Sequence, residues 1–142
     1  MKQVKKTIIS IITFFYFSHI AYANTLYFKE GVEFFNKKEF EKAKFKFEQD
    51  LVLNPKSENS YLYLSKIFSL QKKNQLEEKN LDAVILINPQ NEEAIYNLAK
   101  LKLKNSDYKE SKKLNDQLLV ICKTFCSKSK KLKNDIDKSL SK

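Results

Sequence analysis

The sequence predicts an all-α protein made of about three antiparallel helix pairs, followed by a C-terminal capping helix. The first observation behind this prediction is the spacing of the only two prolines. Pro55 and Pro89 lie 34 residues apart, in the matching tripeptides Leu53-Asn54-Pro55 and Ile87-Asn88-Pro89. Because proline lacks a backbone donor and ends helices, one proline per period is typical of a repeated helical hairpin.

The second observation is that residues one period apart match in size. The small residues Gly31, Ser65 and Ala99 occupy one position, where two helices would approach closely, and Gly31 is the only glycine. Bulky residues recur four positions earlier and three positions later, with Lys102 as the one exception: Tyr27, Tyr61 and Ile95, then Phe34, Phe68 and Lys102. Two further apolar positions recur in the second helix of each pair: Leu51, Ile85 and Leu119, then Leu53, Ile87 and Ile121.

This pattern resembles the tetratricopeptide repeat over residues 24–123, divided as 24–57, 58–91 and 92–123. The second unit departs from the family pattern, with Glu77 where a small residue packs the helix pair and Asn74 where an aromatic residue is usual. The resemblance implies a right-handed superhelical array of antiparallel helix pairs. Lys123 stands where the pattern places a proline, so we expect the last helix of the third unit to continue into the tail.

In this family the first helices line a concave surface that commonly holds a peptide or a partner's helix. The matching positions here are Phe28, Val32, Phe35, Asn36, Leu62, Tyr63, Lys66, Tyr96, Asn97, Lys100 and Lys104. Their aromatic and lysine side chains would suit a partner protein that offers an apolar segment with acidic flanks. In the alternative interpretation, some of them, especially Phe35 and Leu62, pack between neighbouring helices.

Chaperone-binding members of the family hold a C-terminal carboxylate with a clamp of basic residues and asparagines. The matching positions here carry Phe28, Val32, Tyr63, Glu93 and Asn97. We therefore expect no clamp of that kind.

The N-terminus predicts a secretory signal peptide over residues 1–23. Three lysines precede an apolar run from Ile8 to Ile20, and Ala21-Tyr22-Ala23 suits cleavage before Asn24. The apolar run is short for a bilayer crossing. We expect an exported bacterial protein, periplasmic or secreted, and the alternative is an N-terminal segment that is not cleaved and anchors the protein in a membrane.

The inventory of reactive side chains predicts neither an enzyme nor a cofactor or metal site. The only histidine, His19, lies in the predicted signal peptide, and a single glycine excludes a glycine-rich phosphate loop. The acidic residues Glu39, Glu41, Glu77 and Glu78 are predicted on exposed helix faces or turns, where solvation explains them.

Cys122 and Cys126 form a Cys-x-x-x-Cys pair in a chain predicted to be exported, which makes a disulfide possible. A bridge of that spacing would strain a continuous helix, so it would favour a break near Thr124. A reduced pair and an intermolecular bond are the alternatives.

The tail, 124–142, predicts a basic amphipathic helix. Leu132, Ile136 and Leu140 recur every fourth position, which would cap the end of a repeat array, and a membrane-surface helix is the alternative. The net charge is +10, and the sequence contains no arginine. Because lysine lacks the planar fork of arginine, we expect no nucleic-acid partner, and membrane contact only through the signal segment or weakly through the C-terminal lysines.

Together these features predict a non-enzymatic scaffold or adaptor for protein–protein interaction in the cell envelope. The alternatives are a self-associating structural or assembly subunit of an envelope complex and a secreted factor that uses its lysine-rich tail.

Overall fold

A computed structural model describes residues 26–141, so the predicted signal peptide, 1–23, lies outside the described residues. The described residues form helices and contain no strand, which confirms the predicted all-α repeat array. The helices are α1 (26–36), α2 (Phe40–Leu53), α3 (Glu58–Leu70), α4 (Asn74–Ile87), α5 (Glu92–Lys104), α6 (Tyr108–Ile121) and α7 (Cys126–Leu140). None of these helices is long and apolar enough to cross a membrane.

The 34-residue period is visible in the helix bounds. The helices α2, α4 and α6 begin at Phe40, Asn74 and Tyr108, and the helices α3, α5 and α7 begin at Glu58, Glu92 and Cys126. Helix α7 therefore starts where the first helix of a fourth pair would start. The expectation that α6 continues into the tail is wrong, because the chain leaves helical conformation over residues 122–125.

The turns inside the pairs follow the same period. Lys38, Lys72 and Ser106 adopt left-handed backbone conformations, with φ of 61°, 57° and 63°. In the first turn the Lys38 amide donates to the Phe35 carbonyl and the Glu39 amide to the Phe34 carbonyl, both at 2.9 Å. The same two bonds recur one and two periods later. These bonds satisfy carbonyls at the end of each first helix, as a C-terminal cap requires.

The chain divides into two compact units, with the boundary between Ser60 and Tyr61. In the first unit, Gly31 of α1 lies against the ring of Phe47 of α2. A Cβ atom at Gly31 would come within 2.6–3.0 Å of three atoms of that ring. The single glycine is thus required by the close approach of α1 and α2. In the same unit, the buried Asp50 accepts a hydrogen bond of 2.5 Å from the Ser60 hydroxyl.

The second unit has one apolar core to which Leu62 of α3 and residues of α4, α5, α6 and α7 contribute. Its members from α7 are Leu132 and Ile136, two of the three residues of the predicted stripe, whereas Leu140 is exposed. Buried hydroxyls add polar contacts between neighbouring helices: Ser111 donates to the Ala99 carbonyl and Ser129 to Asn115 Oδ1, both at 2.8 Å. Helix α7 thus covers apolar surface of the last pair, as predicted for a cap.

Two side chains that depart from the repeat pattern, Lys102 and Glu77, are accommodated by contacts with neighbouring side chains. Lys102 Nζ lies 2.7 Å from Glu78 Oε1, and this hydrogen bond raises the pKa of Lys102. The prediction that Glu77 lies on an exposed face is wrong, because this residue is only 8% exposed. Burial raises the pKa of Glu77, against the opposing effects of a hydrogen bond with Ser69 and the charges of Lys104 and Lys100. Its position in α4 matches that of the buried Ala43 and Ser111, which explains the burial.

Candidate partner-binding surface

The predicted site residues of the first unit contribute mainly to packing between α1 and α2. The ring of Phe28 lies 5.8 Å from that of Phe47, and the ring of Phe35 meets that of Phe40 edge to face at 5.6 Å. Val32 is half-buried and Asn36 is exposed. Phe35 therefore fits the alternative interpretation, in which it packs between helices.

The prediction that Leu62 lies on the concave surface is corrected by its burial. It is 7% exposed and belongs to the core cluster of the second unit, together with Leu81 and Val84. Its side chain is occupied by packing and is not available to a partner. The helical face that carries Leu62 is turned inward, whereas Tyr63, the next residue along, remains half-buried.

Tyr63 and Lys66 form the first part of an accessible face in the second unit. The Lys66 ammonium lies 5.0 Å from the centre of the Tyr63 ring. The same ammonium lies 2.9 Å from Glu93 Oε1, so an ion pair joins α3 to α5. This arrangement holds Lys66 over the tyrosine ring, where the attraction between a cation and an aromatic face is favourable.

Tyr96 is the centre of a second aromatic and basic group. Its ring lies 5.5 Å from that of Phe125, and the Lys100 ammonium lies 5.6 Å from the Tyr96 ring centre. Lys128 places its ammonium 4.2 Å from the Phe125 ring centre and 5.8 Å from that of Tyr96. The prediction included Tyr96 and Lys100 but missed Phe125 and Lys128. The start of α7 one period after α5 would have indicated them, but no proline marks that boundary in the sequence.

A pocket of about 340 Å³ lies between α5 and α7. It is lined by Tyr96, Lys100, Leu103, Lys104, Lys131, Leu132 and Asp135. Lys104 also donates to Asn74 Oδ1 at 3.1 Å, and Asn97 is half-buried on the same helix as Tyr96. We call this cavity the α5–α7 pocket. Three of its lining residues are basic and one is acidic.

The loop before α7 is fixed by a disulfide and by one carboxylate. Cys122 and Cys126 are bridged, with their Cα atoms 5.2 Å apart. The Glu92 carboxylate accepts hydrogen bonds from the backbone amides of Lys123, Thr124 and Phe125 at 2.9, 2.9 and 2.8 Å. These bonds, above all the one from Phe125, lower the pKa of Glu92. The loop geometry thereby sets the position of Phe125 beside Tyr96.

The part of the chain that the structure describes contains no group of three or more histidine, cysteine, aspartate or glutamate side chains that could hold a metal ion.

The comparisons with solved structures decide the fold. The chain is similar to the TPR domain of Arabidopsis OM64, with a TM-score of 0.71 and 19% identity over 81% of this chain and 98% of that one. The chain has the tetratricopeptide fold. No protein-family model and no curated protein matches the sequence.

Two further similar structures contain bound peptides. The first TPR domain of Spaghetti (RPAP3), bound to the HSP90 peptide SRMEEVD, matches with a TM-score of 0.75 and 13% identity, covering 84% of this chain and 94% of that one. The Yersinia enterocolitica type III secretion chaperone SycD, in complex with a peptide of the translocator YopD, matches with a TM-score of 0.72 and 11% identity, covering 81% of this chain and 90% of that one.

Proposed function

We propose that this protein is a non-enzymatic scaffold that holds a segment of another protein on the first helices of its second unit. The surface consists of Tyr63, Lys66, Tyr96, Asn97, Lys100 and Lys104, and we call it the α3–α5 surface. One observation carries the proposal. Two tyrosines remain partly exposed, and each has a lysine ammonium within 5.0–5.6 Å of its ring centre. Partly exposed tyrosines are well suited to act as binding anchors, because their large, rigid rings supply contact area.

The side chains of this surface favour an apolar segment with acidic flanks. The two tyrosine rings offer apolar area, and Lys100 and Lys104 offer positive charge. Charge complementarity of this kind speeds association and fixes the direction of the bound segment more than it raises affinity. The peptide complexes of similar folds support the choice of a protein partner.

We propose that the partner is not a chaperone C-terminus. Glu93 stands at a position where chaperone-binding relatives use their clamp, and here its carboxylate pairs with Lys66 at 2.9 Å. Because Glu93 already pairs with Lys66, this position offers no free cation to the terminal carboxylate of a chaperone.

The proposed place of action is the cell envelope or the surrounding medium, after cleavage before Asn24. This part of the proposal rests on the lysines, apolar run and small residues of 1–23.

Affinity capture from source-cell envelopes tests the proposal. The bait is the chain from Asn24 to Lys142, beside a variant with Tyr63→Ala and Lys66→Ala. The matched control carries Leu86→Ala and Lys79→Ala, which remove an equivalent apolar and basic pair from exposed positions on α4. Circular dichroism first verifies that all three baits are folded.

The proposal expects a protein that is retained by the wild type and by the control and lost by the α3 variant. A captured set that is the same for all three baits would contradict a role of the α3–α5 surface.

Self-association is the second candidate, and one observation favours it. Leu86 and Val120 occupy the same repeat position in α4 and α6, and they are 84% and 86% exposed. Light scattering over a concentration series distinguishes the two functions, because a scaffold that awaits a partner stays monomeric. A dimer that is lost in the Leu86→Ala, Lys79→Ala chain would favour self-association.

A further inference from the structure

We propose that the α5–α7 pocket is the subsite that receives an acidic side chain of the bound segment. Helix α7 is then part of the binding surface as well as a cap on the last helix pair. This inference rests on the proposed function, since it names the chemistry of one end of the same surface.

The three lysines that line the pocket have no carboxylate partner at ion-pair distance within the part of the chain that the structure describes. Some lysines of the described residues are paired with carboxylates, among them Lys42, Lys46, Lys66, Lys102, Lys112 and Lys113. Lys100 and Lys131 are exposed at the pocket, and neither forms an ion pair with a carboxylate of the described residues. Lys104 donates to a neutral amide oxygen of Asn74. The pocket therefore presents positive charge that the chain itself leaves unpaired.

The acidic groups near the pocket are too few to neutralise it. Asp135 is its only acidic lining residue, against three lysines. Glu77 is close enough for Lys100 and Lys104 to lower its pKa, but burial acts in the opposite direction and raises it. An added carboxylate would therefore meet a net positive field.

The shape of the pocket favours a side chain over an extended surface. At about 340 Å³ it lies at the small end of ligand-binding cavities. Leu103 and Leu132 supply apolar walls, and Leu132 is itself buried in the core. A glutamate or aspartate side chain would place its methylene groups against the leucines and its carboxylate among the ammonium groups.

The aromatic group at one side of the pocket connects it to the rest of the surface. Tyr96 lines the pocket and also belongs to the α3–α5 surface. Phe125 and Lys128 lie against Tyr96, at 5.5 Å and 5.8 Å. An apolar residue of the bound segment on the Tyr96 ring would leave its acidic neighbour within reach of the pocket.

Fluorescence anisotropy with two short amidated peptides tests the proposal. One peptide contains leucine and glutamate, and the other has glutamine in place of every glutamate. Titrations use the chain from Asn24 to Lys142. Chemical-shift mapping on the ¹⁵N-labelled chain locates the bound peptide.

We expect the glutamate peptide to bind at least about fivefold more tightly than the glutamine peptide, since each favourable charge contact is modest. The double variant Lys100→Gln, Lys131→Gln should weaken the glutamate peptide by about fivefold and leave the glutamine peptide unchanged. The matched control Lys130→Gln, Lys133→Gln removes the same charge from exposed positions of α7 that do not line the pocket. It should change the affinity by less than about twofold, whereas Asp135→Asn should strengthen it.

Two results would overturn the subsite: no binding of the glutamate peptide at millimolar concentration, or equal losses of its affinity in the two lysine double variants. If Tyr63→Ala, Lys66→Ala abolishes binding and Lys100→Gln, Lys131→Gln leaves the affinity for the glutamate peptide unchanged, the subsite is wrong and the proposed function stands. If all variants bind both peptides like the wild type, both proposals fail.

Discussion

The Phe125 amide donates a 2.8 Å hydrogen bond to the Glu92 carboxylate across 33 positions of the chain. Glu92 is the first residue of α5, and Phe125 immediately precedes α7. One side chain at the start of a helix thus fixes the entry into another helix. Because the amides of Lys123 and Thr124 bind the same carboxylate, the loop depends on Glu92 being ionised.

Glu92→Gln should loosen the loop and remove a pH dependence. The hydrogen bonds lower the pKa of Glu92 below its ordinary value of 4.5. A lowered folded-state pKa stabilises the protein above the unfolded value, and this stabilisation is lost as the pH falls through the folded value. Hydrogen exchange of the amides of residues 123–125 should therefore accelerate in the wild type as the pH drops below about 4.5, after correction for intrinsic exchange.

In Glu92→Gln the same amides should exchange rapidly at neutral pH, with no such acid transition. Glu110→Gln, which removes a carboxylate from an exposed ion pair on α6, is the control and should leave these amides protected. Protection that is equal in Glu92→Gln and the wild type would contradict the role of the carboxylate.

Replacing the disulfide should destabilise the second unit modestly. The bridge closes a loop with a sequence separation of 4, and loop-closure entropy for so short a loop amounts to about 2 kcal/mol. We expect Cys122→Ser, Cys126→Ser to lower the free energy of unfolding by up to about that amount in urea titrations. Dithiothreitol should lower the stability of the wild type similarly and leave the serine variant unchanged. Free thiols in the unreduced purified protein would contradict the bridge.

Gly31→Ala should destabilise the first unit although alanine favours helix. The added methyl group would come within 2.6–3.0 Å of the Phe47 ring, which is fully buried. Overpacking of this kind costs about 1–3 kcal/mol, and it outweighs the gain of about 1 kcal/mol in helix propensity when the ring cannot move. Urea unfolding of Gly31→Ala in the wild-type and Phe47→Leu backgrounds measures the coupling. A cost that is the same in both backgrounds would show that the ring is not the cause.

Glu77→Ala should stabilise the protein at neutral pH. Burial raises the pKa of Glu77, so its ionised form is disfavoured in the folded state, and stability falls as the pH rises from 4.5 through the folded value. Alanine is the residue at the matching position of α2, and we expect a gain of about 1 kcal/mol in urea unfolding. The gain should shrink below the ordinary carboxyl pKa.

Glu78→Ala is the matched control, because it removes the neighbouring carboxylate that pairs with Lys102 at 2.7 Å. It should lower stability. If Glu77→Ala is also less stable at neutral pH, then the contacts of Glu77 with Ser69 and the lysines outweigh its burial.

The fold could be predicted from local features of the sequence. Pro55 and Pro89 mark the period, and Gly31, Ser65 and Ala99 mark the close approach of helices. Both signals come from residues whose size or backbone directly restricts conformation. The left-handed turn residues Lys38, Lys72 and Ser106 could not be recognised in this way, because none is a glycine. Their conformation is set by the hydrogen bonds of the helix ends.

The site was harder to predict because its parts depend on contacts between distant residues. Leu62 and Tyr63 are adjacent, and only packing decides that the first is buried and the second accessible. Glu77 has a polar side chain, so its burial contradicts its own preference and follows from its place in the helix pair. Phe125 and Lys128 lie beside Tyr96 because Glu92 and the disulfide fix the loop between α6 and α7. No local pattern contains that information.

The succession of helices in the second unit has a consequence for folding kinetics. Most packing among these helices joins sequence neighbours: α4 with α5, α5 with α6 and α6 with α7. Contacts between sequence neighbours require little loop closure, so chains dominated by them fold rapidly and can begin at any adjacent pair. A helix pair can therefore acquire its native packing while later parts of the polypeptide are still being synthesised.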